Sequence, residues 1–143
     1  MTPPQAPHAP HAPHAGQPGT VLVVDDDESI REFIGEALAD EGYVVRTAPD
    51  GRAAFEVLGA ARPDLILLDM RMPVMDGWEF ARAYRESAPA GGRVPIVVLT
   101  AARDAAGRAA EIAADGYLAK PFGLQDLLET VRRQLTPRLE ARR

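Results

Sequence analysis

Four acidic residues, Asp25, Asp26, Asp27 and Glu28, stand side by side in the stretch VLVVDDDESIR at residues 21–31. Two or more carboxylates within a few ångströms of each other cannot all stay ionised without a nearby cation. A hard divalent ion such as Mg²⁺ meets this need, because it takes oxygen ligands and leaves positions for water and phosphate. Asp25 and Asp26 are therefore candidate Mg²⁺ ligands. The alternative is that they only cap the following helix, the role that we assign to Asp27 and Glu28.

A further acid, Asp69, follows the aliphatic run LILL at residues 65–68. A carboxylate can attack phosphorus and form an aspartyl phosphate. That transfer needs the phosphoryl oxygens to be neutralised by cations. Mg²⁺ and the ammonium of Lys120 would supply positive charge, and the hydroxyl of Thr100 can donate a hydrogen bond. The alternatives are an ordinary loop acid, a strand-end threonine and a surface lysine.

Lys120 is the only lysine of the chain, beside fifteen arginines. Most positions that need a cation evidently accept arginine here. A lone lysine either marks a place where only a compact ammonium fits or is a matter of chance, and the surrounding motif has to decide between the two.

Five short runs predict strands, since they are rich in β-branched residues and apolar throughout, which is typical of a parallel sheet buried on both faces. They are VLVV (21–24), YVV (43–45), LILL (65–68), IVVL (96–99) and YLA (117–119). Helical patterns lie between and after them. The sequence thus predicts an α/β fold, a flavodoxin-like (βα)5 doubly wound sheet of five parallel strands in the order 2-1-3-4-5.

Acids outside the strand ends fit ordinary structural positions. Asp50, Asp64, Asp76 and Asp104 each suit a turn or a helix N-cap, and Trp78 is expected on the surface or in the core of the third helix rather than at a ligand. In an open parallel sheet, ligands bind at the carboxyl ends of the strands. The residues that follow the strands are therefore expected to meet at one edge: Asp25, Asp26, Asp69, Thr100 and Lys120.

The stretches VLVVDDDESIR, PDLILLDMRMPVMDGWE, VPIVVLTA and GYLAKPF resemble the receiver domains of two-component response regulators. The resemblance covers about residues 20–136. It implies that Asp69 is the phosphoacceptor and that Asp26 is a direct Mg²⁺ ligand. Asp25 would be its partner, acting partly through water.

The same resemblance implies roles for the neighbours of these residues. Arg71 would lend its backbone carbonyl to the metal, and its side chain would overhang the site and tune dephosphorylation. Thr100 would be the switch hydroxyl, with Ala101 as the small residue that gives access beside it. Tyr117 would be the aromatic switch that turns inward, unless it is only half-buried packing. Lys120 would contact the phosphate, and its bond to Pro121 would be cis.

The function implied is Mg²⁺-dependent phosphorylation of Asp69 by a sensor histidine kinase or a histidine phosphotransfer protein. Phosphorylation would switch the surface of the fourth helix, fifth strand and fifth helix toward an unknown downstream protein. The protein would not be an enzyme beyond its own phosphoryl acceptance and autodephosphorylation. Two alternatives stay open: a binding module that needs no phosphorylation, and a small Mg²⁺-dependent phosphatase with an aspartyl nucleophile. Those phosphatases usually carry a second acid where this chain has Arg71.

Composition bounds the remaining expectations. The 143 residues carry a net charge of −5, no cysteine and no apolar run long enough to span a membrane. An acidic body argues against direct binding of nucleic acid. We expect a Pro/Ala/His-rich disordered tail at 1–19, a receiver domain at 20–136 and a basic tail at 137–143. We also expect a cytoplasmic, stand-alone monomer or weak dimer, whose fourth helix is short and easily shifted.

Overall fold

Strands and helices alternate throughout residues 19–87 and 93–141, which are the residues that the computed structural model describes. In chain order the elements are β1 (Thr20–Val24), α1 (Glu28–Asp40), β2 (Val44–Ala48), α2 (Gly51–Ala60), β3 (Leu65–Asp69), α3 (Gly77–Ser87), β4 (Ile96–Ala101), α4 (Ala102–Glu111), β5 (Gly116–Lys120) and α5 (Leu124–Ala141). The strands form one parallel sheet in the order β2-β1-β3-β4-β5. The predicted fold and strand order are confirmed.

The three central strands are buried on both faces, which explains why their sequences are apolar without alternation. On one face, Leu22, Ile66 and Val98 pack with residues of α2, α3 and α4. On the other face, Val23, Leu67 and Leu99 pack with residues of α1 and α5. Helices therefore cover both faces of the sheet.

The expectation that all five strands are buried on both faces is wrong for β2 and β5. Val44 of β2 is 40% exposed and Tyr117 of β5 is 51% exposed. Each of these strands pairs with only one other described strand, so each forms an edge of the sheet. An apolar run does not by itself distinguish an edge strand from a central one.

Side chains fix the starts of the first two helices as predicted. The Asp27 carboxylate accepts hydrogen bonds from the backbone N–H groups of Ser29 and Ile30 at the start of α1. The Asp50 carboxylate accepts one from Ala53 at the start of α2. These bonds satisfy N–H groups that the helix itself leaves without partners.

The third and fourth helices differ in how they begin. At α3, the Asp76 carboxylate accepts from the N–H of Glu79, and the Glu79 carboxylate accepts from the N–H of Asp76, which forms a reciprocal capping box. At α4 the capping position is Ala101, which offers no side-chain bond, and Asp104 lies within the first turn instead. The start of α4 therefore lacks the side-chain capping bonds that stabilise the start of α3.

The end of α5 lies beyond the predicted boundary at residue 136, because the helix continues through Pro137 to Ala141. Predictions for residues 1–18 fall outside the described residues. Within the part of the chain that the structure describes, no helix has the length and apolar character needed to cross a membrane.

Candidate functional site

Three carboxylates meet at the carboxyl edge of the sheet. Asp25 directly follows β1 and Asp69 ends β3, and these strands are neighbours in the sheet. One carboxylate oxygen from each of Asp25, Asp26 and Asp69 lies within 4.8 Å of the others. Asp25 and Asp69 are buried, whereas Asp26 is exposed. The predicted convergence of these acids is confirmed.

Asp25 is held rigidly by its surroundings. Its Oδ1 accepts a hydrogen bond from the N–H of Asp27 at 2.9 Å, and its backbone carbonyl accepts one from the Arg31 guanidinium at 2.7 Å. Its Oδ2 is buried and makes no hydrogen bond of ordinary angular geometry to the described residues. The Lys120 ammonium lies 2.9 Å from that oxygen and balances its charge.

Lys120 ends β5 and reaches two carboxylates. Its Nζ lies 2.9 Å from Asp25 Oδ2 and 3.6 Å from Asp69 Oδ1. Burial lowers the pKa of Lys120, but the close ion pair with Asp25 and the charge of Asp69 outweigh burial and raise it. Lys120 is therefore a permanent cation at neutral pH. The peptide bond from Lys120 to Pro121 is cis, as predicted.

Asp69 is short of positive charge. Burial, followed by the negative charge of Asp25, raises the pKa of Asp69 from 3.8 to about 6. The charge of Lys120 and a hydrogen bond from the backbone N–H of Arg71 oppose this shift without cancelling it. One ammonium thus does not offset three clustered carboxylates.

This donor set fits a hard divalent cation. It offers carboxylate oxygens on two buried residues and one exposed residue, and one buried oxygen lacks a well-oriented hydrogen bond. Mg²⁺ is bound by one or two carboxylates while it keeps several waters. Asp25, Asp26 and Asp69 are the residues that could hold it.

The remaining candidates lie around this cluster. Thr100 is buried near the end of β4, one residue beyond Leu99, which pairs with Asp69. Ala101 is exposed and pairs with Lys120. Tyr117 pairs with Val98 and is 51% exposed. These positions bring Thr100 and Ala101 to the carboxylate edge, while their switch and access roles stay predictions.

The loop between Asp69 and α3 depends on a close backbone approach at Gly77. A Cβ added there would lie 2.7 Å from the Cα of Met70, a distance that real Cβ atoms essentially never show. The Gly77 N–H also donates to the carbonyl of Met70 at 3.0 Å. Glycine at this position therefore lets α3 begin directly beside the phosphoacceptor candidate.

Trp78 is a residue whose contacts the sequence interpretation missed. It lies half-buried in the first turn of α3, and the Arg71 guanidinium is 5.9 Å from the centre of its ring. A cavity of about 310 Å³ is lined by both side chains and by Asp26. The local sequence gives no signal for these contacts, because they depend on how α3 packs beside α4 and beside the loop after β3.

Comparison with known proteins agrees with this arrangement. The family model described as "Response regulator receiver domain" matches residues 21–132. The chain belongs to this family, the receiver domains of two-component response regulators. Such domains typically bind Mg²⁺ at an acidic pocket and interact with histidine kinases or phosphotransfer proteins.

Similar proteins include the response regulator MprA of Mycolicibacterium vanbaalenii, which is 42% identical over 84% of this chain and 53% of its own length. The chemotaxis response regulator CheY4 of Vibrio cholerae is 40% identical with a TM-score of 0.75, over 83% of this chain and all of that one. The receiver domain of NtrX from Brucella abortus is 28% identical with a TM-score of 0.72, and the match covers 81% of this chain and 98% of that one. The chain spans about half the length of the curated relatives that it matches, so the stand-alone arrangement stays a prediction.

Proposed function

We propose that this receiver accepts a phosphoryl group on Asp69 from a sensor histidine kinase or a histidine phosphotransfer protein, in a Mg²⁺-dependent reaction. The proposal rests mainly on the position of Asp69. Its buried carboxylate lies beside Asp25, Asp26 and the Lys120 ammonium, and its raised pKa shows that the nearby positive charge is too small to balance the acids. Membership of the receiver family supports the same function.

In the transfer step, a carboxylate oxygen of Asp69 attacks the phosphorus of the donor. A new oxygen–phosphorus bond forms as the bond between phosphorus and the donor nitrogen breaks, and the donor histidine keeps that electron pair. The attacking group must be ionised, so the raised pKa of Asp69 works against the step at acidic pH.

Lys120 and the acids have separate tasks in that step. Lys120 lies 3.6 Å from Asp69 Oδ1 and can pair with an incoming phosphoryl oxygen while its contact with Asp25 fixes its position. Asp25, Asp26, Asp69 and the backbone carbonyl of Arg71 would hold Mg²⁺. When bound, the ion supplies the positive charge that the cluster lacks and stabilises charge on the phosphoryl oxygens.

The change that signals phosphorylation to a downstream protein would begin at the same edge of the sheet. Thr100 would donate a hydrogen bond to the new phosphoryl group, and Tyr117 would turn inward from its exposed position. The surface of α4, β5 and α5 would then bind a downstream protein. This step is supported by the small buried surface of α4, in which only Ala105 and Ala109 are buried.

The test is incubation with Mg²⁺ and acetyl phosphate, followed by intact mass measurement. We expect one phosphoryl adduct in the wild type and none in Asp69→Asn. Asp50→Asn is a matched control, because Asp50 caps α2 and asparagine caps a helix about as well; this variant should form the adduct normally. An adduct that persists in Asp69→Asn, or none in the wild type, would contradict the proposal. Rapid hydrolysis of an unrelated phosphoester would favour the phosphatase alternative.

A further inference from the structure

Trp78 of α3 is tied to α4 by polar contacts. Its ring N–H donates a hydrogen bond to the Glu111 carboxylate at 2.8 Å. The Arg108 guanidinium lies 5.2 Å from the centre of the ring and 3.4 Å from the same Glu111 carboxylate. The orientation of the ring is therefore fixed by two residues of α4.

The same ring also contacts the loop that directly follows the phosphoacceptor candidate Asp69. The Arg71 guanidinium lies 5.9 Å from the ring centre, within the range of a cation–π contact. Arg71 also hydrogen-bonds to the Asp69 carboxylate through its backbone N–H. The Arg71 side chain therefore starts at the site and rests on Trp78.

The Arg71 side chain lies beside a cavity that Asp26 also borders. This cavity, about 310 Å³, is lined by Asp26, Arg71 and Trp78 among others. A guanidinium released from the ring would be drawn toward Asp26 and toward phosphoryl oxygens on Asp69, because both are negative. Held on the ring, it would stay away from these groups and leave room for a water to reach the phosphoryl group.

We propose that Trp78 is a positioning residue that holds Arg71 on its ring and so makes the lifetime of phosphorylated Asp69 depend on α4. The inference rests on the proposed function. In the hydrolysis that ends the phosphorylated state, a water oxygen bonds to phosphorus as the bond from phosphorus to Asp69 breaks. Asp69 returns to a carboxylate, and the protons of the water leave with inorganic phosphate and solvent. Trp78 acts on this step only through Arg71.

The first test measures the rate at which the adduct is lost in Mg²⁺ buffer after the phosphodonor is removed. We expect Trp78→Leu to slow hydrolysis roughly two- to fivefold, the range that an exposed cation–π contact supports. Trp78→Phe retains an aromatic face and should restore most of the wild-type rate. In an Arg71→Ala background, Trp78→Leu should have no further effect. An equal effect with and without Arg71 would mean that Trp78 acts through packing alone, which overturns the proposal.

The second test needs no phosphorylation, because Trp78 is the only tryptophan of the chain. Arg71→Ala and Arg108→Ala should each increase the quenching of its fluorescence by acrylamide. Arg103→Ala, an exposed arginine on the same helix as Arg108, is the matched control and should leave quenching unchanged.

The outcomes separate the two proposals. Absence of any adduct on Asp69 overturns the proposed function and this inference together. A normal adduct whose lifetime is unchanged in Trp78→Leu overturns this inference alone, as does quenching that Arg71→Ala leaves unaltered.

Discussion

α4 and α5 both lie against the edge strand β5, but different kinds of side chain hold them there. α5 has 18 residues, and up to residue 137, where its side chains are described, it buries four large aliphatic ones: Leu127, Leu128, Val131 and Leu135. α4 has ten residues and buries only Ala105 and Ala109, although Ile112 is buried just beyond its end. A buried leucine or valine side chain contributes about 1.5–3 kcal/mol, and alanine much less. α5 therefore contributes more buried aliphatic surface to this end of the sheet than α4 does.

The carboxyl edge of the sheet also differs from the apolar strands, because it holds charged groups that oppose folding. Burial and then the charge of Asp25 raise the pKa of Asp69, so the folded state is penalised there when Asp69 is ionised. The carboxylate edge lies beside the start of α4, the helix with the smaller buried aliphatic surface of the two.

The largest expected effect compares the two helices directly. Leu127→Ala in α5 should lower the free energy of unfolding by about 2–5 kcal/mol, because it leaves a cavity in the core. Ala105→Gly in α4 should cost only about 1 kcal/mol, mostly from helix propensity. Urea denaturation at neutral pH measures both. Equal losses in the two variants would contradict the difference between α5 and α4.

The next effect concerns the charge on Asp69. Its folded pKa is raised from 3.8 to about 6, so its contribution to stability is fully present below pH 3.8 and is lost as pH rises through about 6. Without divalent ions, Asp69→Asn should therefore be more stable than the wild type above pH 6, by up to about 3 kcal/mol. The advantage should disappear near pH 3.5. Denaturation at several pH values in EDTA buffer tests this, and a less stable Asp69→Asn at pH 7 would contradict it.

A third prediction distinguishes Asp26 from its neighbour Asp27 by their effects on Mg²⁺ affinity. Asp26→Asn should weaken Mg²⁺ binding by roughly tenfold or more, since the ion loses a charged ligand. Asp27→Asn is the matched control, because Asp27 caps α1 and its pKa is lowered by its bonds to Ser29 and Ile30. Titration calorimetry should find its affinity close to that of the wild type. Equal weakening in both variants would mean that the acids act only through their summed charge.

Glu111→Ala is expected to have the smallest effect on global stability. Exposed ion pairs contribute at most about 1 kcal/mol, and Glu111 pairs with Arg108 at the surface. The variant should nevertheless speed hydrogen exchange in α4, because Glu111 links that helix to Trp78. Exchange in α5 should not change. Faster exchange in both helices would contradict a local role.

Much of this arrangement followed from the sequence. The apolar runs and the acids after them predicted the fold and the meeting of Asp25, Asp26 and Asp69, because parallel strands end at one edge. The exposure of Tyr117 did not follow, since burial depends on which strand lies at the edge of the sheet. The contacts of Trp78 did not follow either. They depend on how α3 and α4 approach each other, which local periodicity does not encode.

We expect phosphorylation of Asp69 to shift α4 while α5 stays in place. Hydrogen exchange followed by mass spectrometry tests it most directly, on wild type and Asp69→Asn, with and without Mg²⁺ and acetyl phosphate. We expect α4 to exchange faster than α5 in the unphosphorylated protein, and exchange in α4 and β5 to change on phosphorylation in the wild type only. Protection of α4 equal to that of α5, or the same change in Asp69→Asn, would contradict the account.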